Sequence, residues 1–201
     1  MPSTSTPLMP IAATQPHVSF EGTKHMTANH SPDFVIRDAG PEDRDTVLSL
    51  FDHAIEWFQT IGNTKQWGTT PFSAQPKQVA RVLAWLSQPG AWIAELPEQG
   101  AVGALVLGDR HDYIPAAREP ELYVRLLLGS RVQGAKGVGR ALLQFADGEA
   151  TRRGLNYLRV DCYNGGDGRL PEFYESCGYQ RTERFAVGDW PGQILERRLQ
   201  E

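Results

Sequence analysis

Ten residues limit most sharply what this chain can fold into: Gly134-Ala135-Lys136-Gly137-Val138-Gly139-Arg140-Ala141-Leu142-Leu143. An apolar, strand-like run precedes them and a helix-like run follows. Closely spaced glycines let the backbone turn tightly and bring several N–H groups near one point. A helix beginning there adds its unpaired first amides and the positive end of its dipole. The stretch is therefore predicted to bind an anion, a phosphate or pyrophosphate, within an α/β fold. A dinucleotide fingerprint would need a third glycine, and Leu142 stands in its place. Several elements also precede the loop, whereas that fingerprint opens a domain. The Gly-Lys-Ser/Thr of a nucleotide-triphosphate loop is absent.

The chain has 201 residues, 40% hydrophobic and 22% charged. That suffices for one well-buried α/β domain and a tail. A formal charge of −4 argues against a general nucleic-acid binder, which carries a net basic patch. No apolar run approaches the roughly 20 residues of a membrane span. The first residues lack the basic-then-apolar order of a secretory signal, so a cytoplasmic location is expected, without nucleic-acid or membrane partners. Cys162 and Cys177 show no CxxC or Cys/His metal spacing. They read as reduced thiols, and no metal is expected.

Residues 1–33 are rich in Pro, Ser, Thr and Ala without a sustained period, and read as a disordered tail. The domain is expected over 34–201. A strand at 34–37 leads through Gly40-Pro41 into an amphipathic helix ending near Gly62, with Val47, Leu48, Phe51, Ile55 and Phe58 on one face. A loop over 64–74 carries Trp67 and Phe72, and a second helix runs from Pro76 to Ser87. Strands are predicted at 91–96, 101–108 and 122–128, with a polar, proline-containing loop at 109–120. After the glycine loop come a helix to about Arg153, a strand at 157–162 and a short helix at 170–177. Two antiparallel strands, 179–187 and 193–199, close the chain around a turn at 188–192. The order describes a mixed sheet flanked by helices, an α+β arrangement within the α/β class.

The glycine loop, this element order and the segments Leu158-Arg159-Val160-Asp161-Cys162 and Leu170-Pro171-Glu172-Phe173-Tyr174-Glu175-Ser176-Cys177-Gly178-Tyr179 together resemble the GCN5-related N-acetyltransferase (GNAT) family. That family has an [Arg/Gln]-x-x-Gly-x-[Gly/Ala] core. Gly137 and Gly139 match it, while Gly134 occupies the Arg/Gln position and Gln133 lies one residue early. The resemblance implies a GNAT fold and acetyl-CoA as co-substrate. Leu127, Leu128 and Gly129 would then meet the pantetheine arm through their main chain. The amides of Gly134, Ala135, Lys136, Gly137, Val138, Gly139 and Arg140 would meet the pyrophosphate, with charge from Lys136 and Arg140. Asp167 stands where the family usually has an Asn, and is carried over as a cofactor contact. Tyr174 matches the tyrosine that lies near the thioester sulfur and protonates the departing thiolate.

The acceptor side is read from the residues themselves. Alternation in Glu121-Leu122-Tyr123-Val124-Arg125-Leu126 puts Glu121, Tyr123 and Arg125 on one face, with Leu122, Val124, Leu126 and Leu128 on the other. Glu121 is the candidate base for the amine, with His111 and Asp112 as alternatives. Tyr123, Arg125 and Trp67 are candidate acceptor contacts, Arg125 for a carboxylate or phosphate. A structural ion pair on the strand is the competing reading of Glu121 and Arg125. Trp190 is expected where the last hairpin covers the site or a partner in a homodimer. The resulting expectation is acetyl transfer from acetyl-CoA to a small-molecule amine by direct attack, without a covalent enzyme intermediate. An acyl-CoA sensor on the same fold and a transferase for longer acyl groups are the alternatives.

Overall fold

The computed structural model describes residues 34–200, so the tail expected over 1–33 lies outside the described residues. The strands are β1 (Val35–Asp38), β2 (Ala91–Leu96), β3 (Gly100–Gly108), β4 (Leu122–Gly129), β5 (Tyr157–Tyr163), β6 (Gln180–Val187) and β7 (Trp190–Arg198). The helices are α1 (Arg44–Thr60), α2 (Pro76–Leu86), α3 (Val138–Arg152) and α4 (Arg169–Ser176). One sheet orders the strands β1-β2-β3-β4-β5-β7-β6. Every neighbouring pair is antiparallel except β4 and β5. The mixed sheet predicted from the element order is thus the observed architecture.

Helices cover both faces. Apolar residues of α3 (Leu142, Leu143, Ala146, Ala150) and of α4 (Leu170, Tyr174) pack with Leu122, Val124, Leu158, Val160 and Cys162. The stripe predicted for α1 packs with Val82 and Leu86 of α2 on the other face, against Ile93, Ala104, Leu126 and Leu128. Backbone contact between α3 and β3 depends on Gly103. A Cβ there would lie 2.9 Å from Val138 Cγ2 and 3.0 Å from both the Leu128 carbonyl oxygen and Leu142 Cδ1. Overpacking of a close-packed interior costs about 1–3 kcal/mol. Gly103→Ala is expected to lower the unfolding free energy by about 2 kcal/mol, read as a lower urea midpoint at unchanged slope.

Two local readings change. The alternation drawn through β4 breaks at Arg125. Val106 pairs with Leu126 and Leu107 with Val124, so Arg125 is an extra residue in a bulge. Leu122, Val124 and Leu127 therefore face α3, while Leu126 and Leu128 face α1 and α2. A bulge shifts the two-residue period by one, a change that alternation alone does not reveal. The final turn is also shorter than expected. Val187 pairs directly with Trp190 across Gly188-Asp189, and β7 runs on through Pro191 and Gly192. The Pro191 carbonyl oxygen accepts from the Asn164 amide at 2.9 Å.

Candidate active site

The sheet opens at its centre. β4 and β5 pair only over Leu122–Val124 with Leu158–Val160. Beyond Val124 the β5-facing edge of β4 has no strand partner, leaving a wedge between Arg125–Gly129 and Asp161–Tyr163. Leu127 and Leu128 are buried along this edge and Gly129 closes it. Their main-chain groups on this edge lack a strand partner, and these are the residues for which the resemblance implies contact with the pantetheine arm. Backbone groups held away from water need a partner, so a free interior edge is a docking surface.

At the mouth of the wedge the glycine loop leads into α3. Gly134 and Gly137 adopt φ of +89° and +94°, a region that L side chains rarely enter. Gly137 is the residue from which α3 starts. Two successive turns, Ala135 N–H to Val132 oxygen and Val138 N–H to Ala135 oxygen, both 3.1 Å, shape the loop. Among the described residues, the amides of Lys136, Gly137, Gly139 and Arg140 find no backbone acceptor. They lie at the start of a helix, among the amides for which the resemblance implies a pyrophosphate contact. The side chains behave differently. Lys136 is exposed. Arg140 turns to α4, donating to the Ser176 carbonyl oxygen at 2.7 Å and its hydroxyl at 2.9 Å. Its guanidinium thus caps the C-terminal end of α4.

A cation the sequence does not single out lies next to this loop. Arg131 sits 3.3 Å from the centre of the Trp57 ring. Burial lowers its proton affinity to about 10, which leaves it charged at neutral pH. With Leu50, His53 and Gly129 it borders a cavity of about 290 Å³ between α1 and the end of β4.

Tyr174, from α4, reaches the wedge from the α3 side. It is fully buried and its hydroxyl has no hydrogen-bond partner. Burial first, and then the Cys162, Tyr179 and Asp161 groups around it, hold the phenol protonated well above its ordinary range. A buried hydroxyl with a proton to give and no acceptor suits a ligand atom that becomes anionic. Asp167, expected on the cofactor, instead folds back on its own turn. It pairs with the Arg169 guanidinium at 2.8 Å and accepts from the Arg169 amide at 3.3 Å.

The acceptor-side expectations divide. Glu121 lies at the closed end of the strand pair, bound through both oxygens to Arg159, with Nη2–Oε1 at 2.8 Å. Arg159 also donates to the Pro115 carbonyl oxygen at 2.8 Å, fastening the 109–121 loop. The ion pair foreseen for Glu121 therefore forms with Arg159, not Arg125, and away from the wedge. Trp67 is packed among Phe51, Phe58 and Phe72, with ring centroids 5.2–5.9 Å away, as core and not pocket lining. Trp190 is buried within the chain, its indole N–H donating to the Gln66 carbonyl oxygen at 3.0 Å. That bond ties the last hairpin to the α1–α2 loop.

Tyr123 does reach the wedge. Its hydroxyl donates to Asp161 Oδ1 at 2.5 Å, and both residues are buried on the α1/α2 face. His111 and Tyr113 of the 109–121 loop stack beside them, centroids 5.1 Å apart, with Arg125 and Arg81 close by. Two buried atoms of this group, His111 Nε2 and Arg125 Nε, lack a partner, and the Tyr113 hydroxyl and Asp161 Oδ2 face each other without closing a well-formed hydrogen bond. Burial, followed by the Arg125 and Arg81 charges, lowers the His111 imidazole to about 4 and keeps it neutral. Burial raises the Asp161 carboxyl to about 7, opposed by the Tyr123 hydrogen bond. No role for Asp161 is predicted from the sequence. Its signal was a lone acid inside the otherwise apolar Val160-Asp161-Cys162 run.

The Asp161 shift sets a pH dependence of stability. Between its ordinary value of 3.8 and about 7 the folded chain holds a proton that the unfolded chain releases. Its contribution to stability therefore falls as pH rises through that window and levels above it. The expected loss is on the order of 2–4 kcal/mol. Urea midpoints from pH 4 to 8 for the wild type should show this fall, and those for Asp161→Asn should lack it.

Comparison with known proteins bears on this geometry. No curated protein matches the chain. A GNAT-family acetyltransferase from Listeria monocytogenes superposes with a TM-score of 0.63 at 19% identity, over 86% of this chain and 99% of that one. A protein from Salmonella typhimurium assigned as an acetyltransferase, with its cofactor acetyl-CoA, gives 0.57 at 18%, over 84% and 95%. The PaiA N-acetyltransferase of Thermoplasma acidophilum, in complex with coenzyme A, gives 0.57 at 14%, over 83% and 99%. At such identities these likenesses establish the fold alone. The sequence model of the acetyltransferase (GNAT) family matches residues 51–179, from within α1 to the residue before β6. With the split strand pair and the glycine loop at its mouth inside that span, the chain belongs to the GNAT acetyltransferase family.

Proposed function

We propose that the protein transfers an acetyl group from acetyl-CoA to the amine of a small molecule by direct attack, both substrates being bound together. The observation that carries this reading is the fully buried, unpartnered Tyr174 hydroxyl on one side of the wedge. Family membership and the two similar structures that hold acetyl-CoA and coenzyme A support the choice of donor. The residues present fit that molecule. The free edge at Leu127, Leu128 and Gly129 would take the pantetheine amides, and the free amides of Lys136, Gly137, Gly139 and Arg140 would take the pyrophosphate.

Acetyl-CoA would supply an acetyl thioester, activated for attack by a neutral amine. Tyr174 stands ready to give its proton to the leaving sulfur. The wall of apolar side chains from α3 and α4 excludes water from that atom. Cys162 is buried and its thiol is pushed well up by that burial, so it is poorly suited to act as a nucleophile. The test is release of free thiol from acetyl-CoA by the purified full chain, with amino acids, polyamines, aminoglycosides and alkyl amines as acceptors. Amine-dependent release is expected, and calorimetry should record binding of coenzyme A. Binding without release from any amine would favour a sensor over an enzyme.

A further inference from the structure

The buried polar group on the α1/α2 face is not needed to hold acetyl-CoA, yet it is the least satisfied part of the protein. Asp161 and Arg125 are the first residues beyond the last paired positions, Val160 and Val124. Both therefore stand where the wedge begins, across the sheet from α3 and α4. The Asp161 side chain is 3% exposed; one of its oxygens takes the Tyr123 hydroxyl and the other faces the Tyr113 hydroxyl without a well-formed bond. The Arg125 Nε and the His111 Nε2 of the same group are unpartnered. Buried donors and acceptors without partners are costly, so a group that gathers several of them suits a polar ligand. The acid Asp161 and the cation Arg125 both act on Tyr113, so a ligand lying along that ring would meet both and would bear both opposite charges.

We propose that this group is the acceptor site, that Asp161 receives the proton of the acceptor's ammonium, and that Arg125 binds an anionic group on the same molecule. The inference rests on the acetyl-transfer reading and names its acceptor class: a small amine carrying a carboxylate or phosphate. An N–H proton passes to Asp161 Oδ2, the nitrogen keeps its electron pair, and the proton later returns to solvent. Tyr123 positions the carboxyl through its other oxygen. The groups facing Asp161 are Tyr123 from β4 and Tyr113 from the covering loop, and beyond Tyr113 and the stacked His111 stand the charges of Arg125 and of Arg81 from α2. Cys162 adjoins it, Tyr174 approaches from α4, and β7 sets the apolar Ile194 opposite. A carboxyl that changes state near neutrality in this setting matches the demand on a base working there.

The experiment uses the full chain with acetyl-CoA and compares α-amino acids and amino-phosphates with alkyl amines, polyamines and aminoglycosides. Anion-bearing amines are expected to react at least tenfold more efficiently. Arg125→Gln should raise KM for them tenfold or more with kcat little changed. It should also weaken their calorimetric binding to coenzyme-A-saturated protein by the same factor. Asp161→Asn should lower kcat/KM about 100-fold and remove the acid limb of its pH profile near 7. Tyr123→Phe should shift that limb without abolishing turnover, and serves if Asp161→Asn fails to fold. Equal turnover of anion-free amines with an unaltered KM in Arg125→Gln would overturn the assignment, as would an unaltered pH profile in both other variants. If coenzyme A itself fails to bind, the acetyl-transfer reading falls first. If it binds and only the acceptor results fail, this assignment alone falls.

Discussion

Tyr174→Phe is expected to lower kcat for amine acetylation by about 100-fold, within the range for removing a positioned general acid. Affinity for coenzyme A should stay within about twofold of the wild type, because phosphate loop and strand edge are untouched. Stability should move the other way or not at all. The hydroxyl is buried without a partner, so deleting it removes an unsatisfied polar group while keeping the ring against Phe173 and Tyr179. The melting temperature is therefore expected to hold or rise. A merely structural tyrosine would give the opposite pattern, with turnover kept and stability lost. Turnover and thermal unfolding measured on one preparation separate the two.

Glu121→Ala should act through the fold and not through proton transfer. Arg159 is 6% exposed and the Glu121 side chain neutralises it through two hydrogen bonds. Removing one partner of a buried pair leaves a charge without compensation, at a cost of about 3 kcal/mol. The 109–121 loop is fastened by the same guanidinium at Pro115, so its local protection from hydrogen exchange should fall as well. Arg159→Met added to Glu121→Gln should restore most of the stability, since both charges are then gone. Were Glu121 the base, Glu121→Gln would abolish turnover with stability retained. The pair's position at the closed end of the strands argues against that outcome.

The sequence made some features legible because they depend on local chemistry. Glycines at 134 and 137 announce a turn that only positive φ allows, and the apolar stripe of α1 follows directly from helical period. Tyr174 could be read through its resemblance to a family pattern, and its unpartnered hydroxyl gives that reading a physical basis. The contacts of the Arg140 and Asp167 side chains are not legible in the sequence, because a charged side chain near a loop can equally bind the nearest backbone end or its own turn. The partner of Glu121 is not legible either, because it is 38 residues away, on a strand whose register no local pattern sets. The bulge at Arg125 is likewise a property of two strands together. Asp161 remained hidden because the unpartnered group to which it belongs gathers from a loop and two strands, with α2 alongside.

The central claim is that the β4–β5 wedge and its glycine loop form an acetyl-CoA site. Calorimetric titration of coenzyme A into the full chain, beside Gly137→Val, tests it most directly. Gly137 holds φ of +94° with open space around it, so a side chain there strains the loop backbone without a steric clash. Saturable binding at a single site in the wild type, weakened tenfold or more in Gly137→Val with the fold intact by circular dichroism, is the expected result. No binding to the wild type, or equal binding to both proteins, would contradict it.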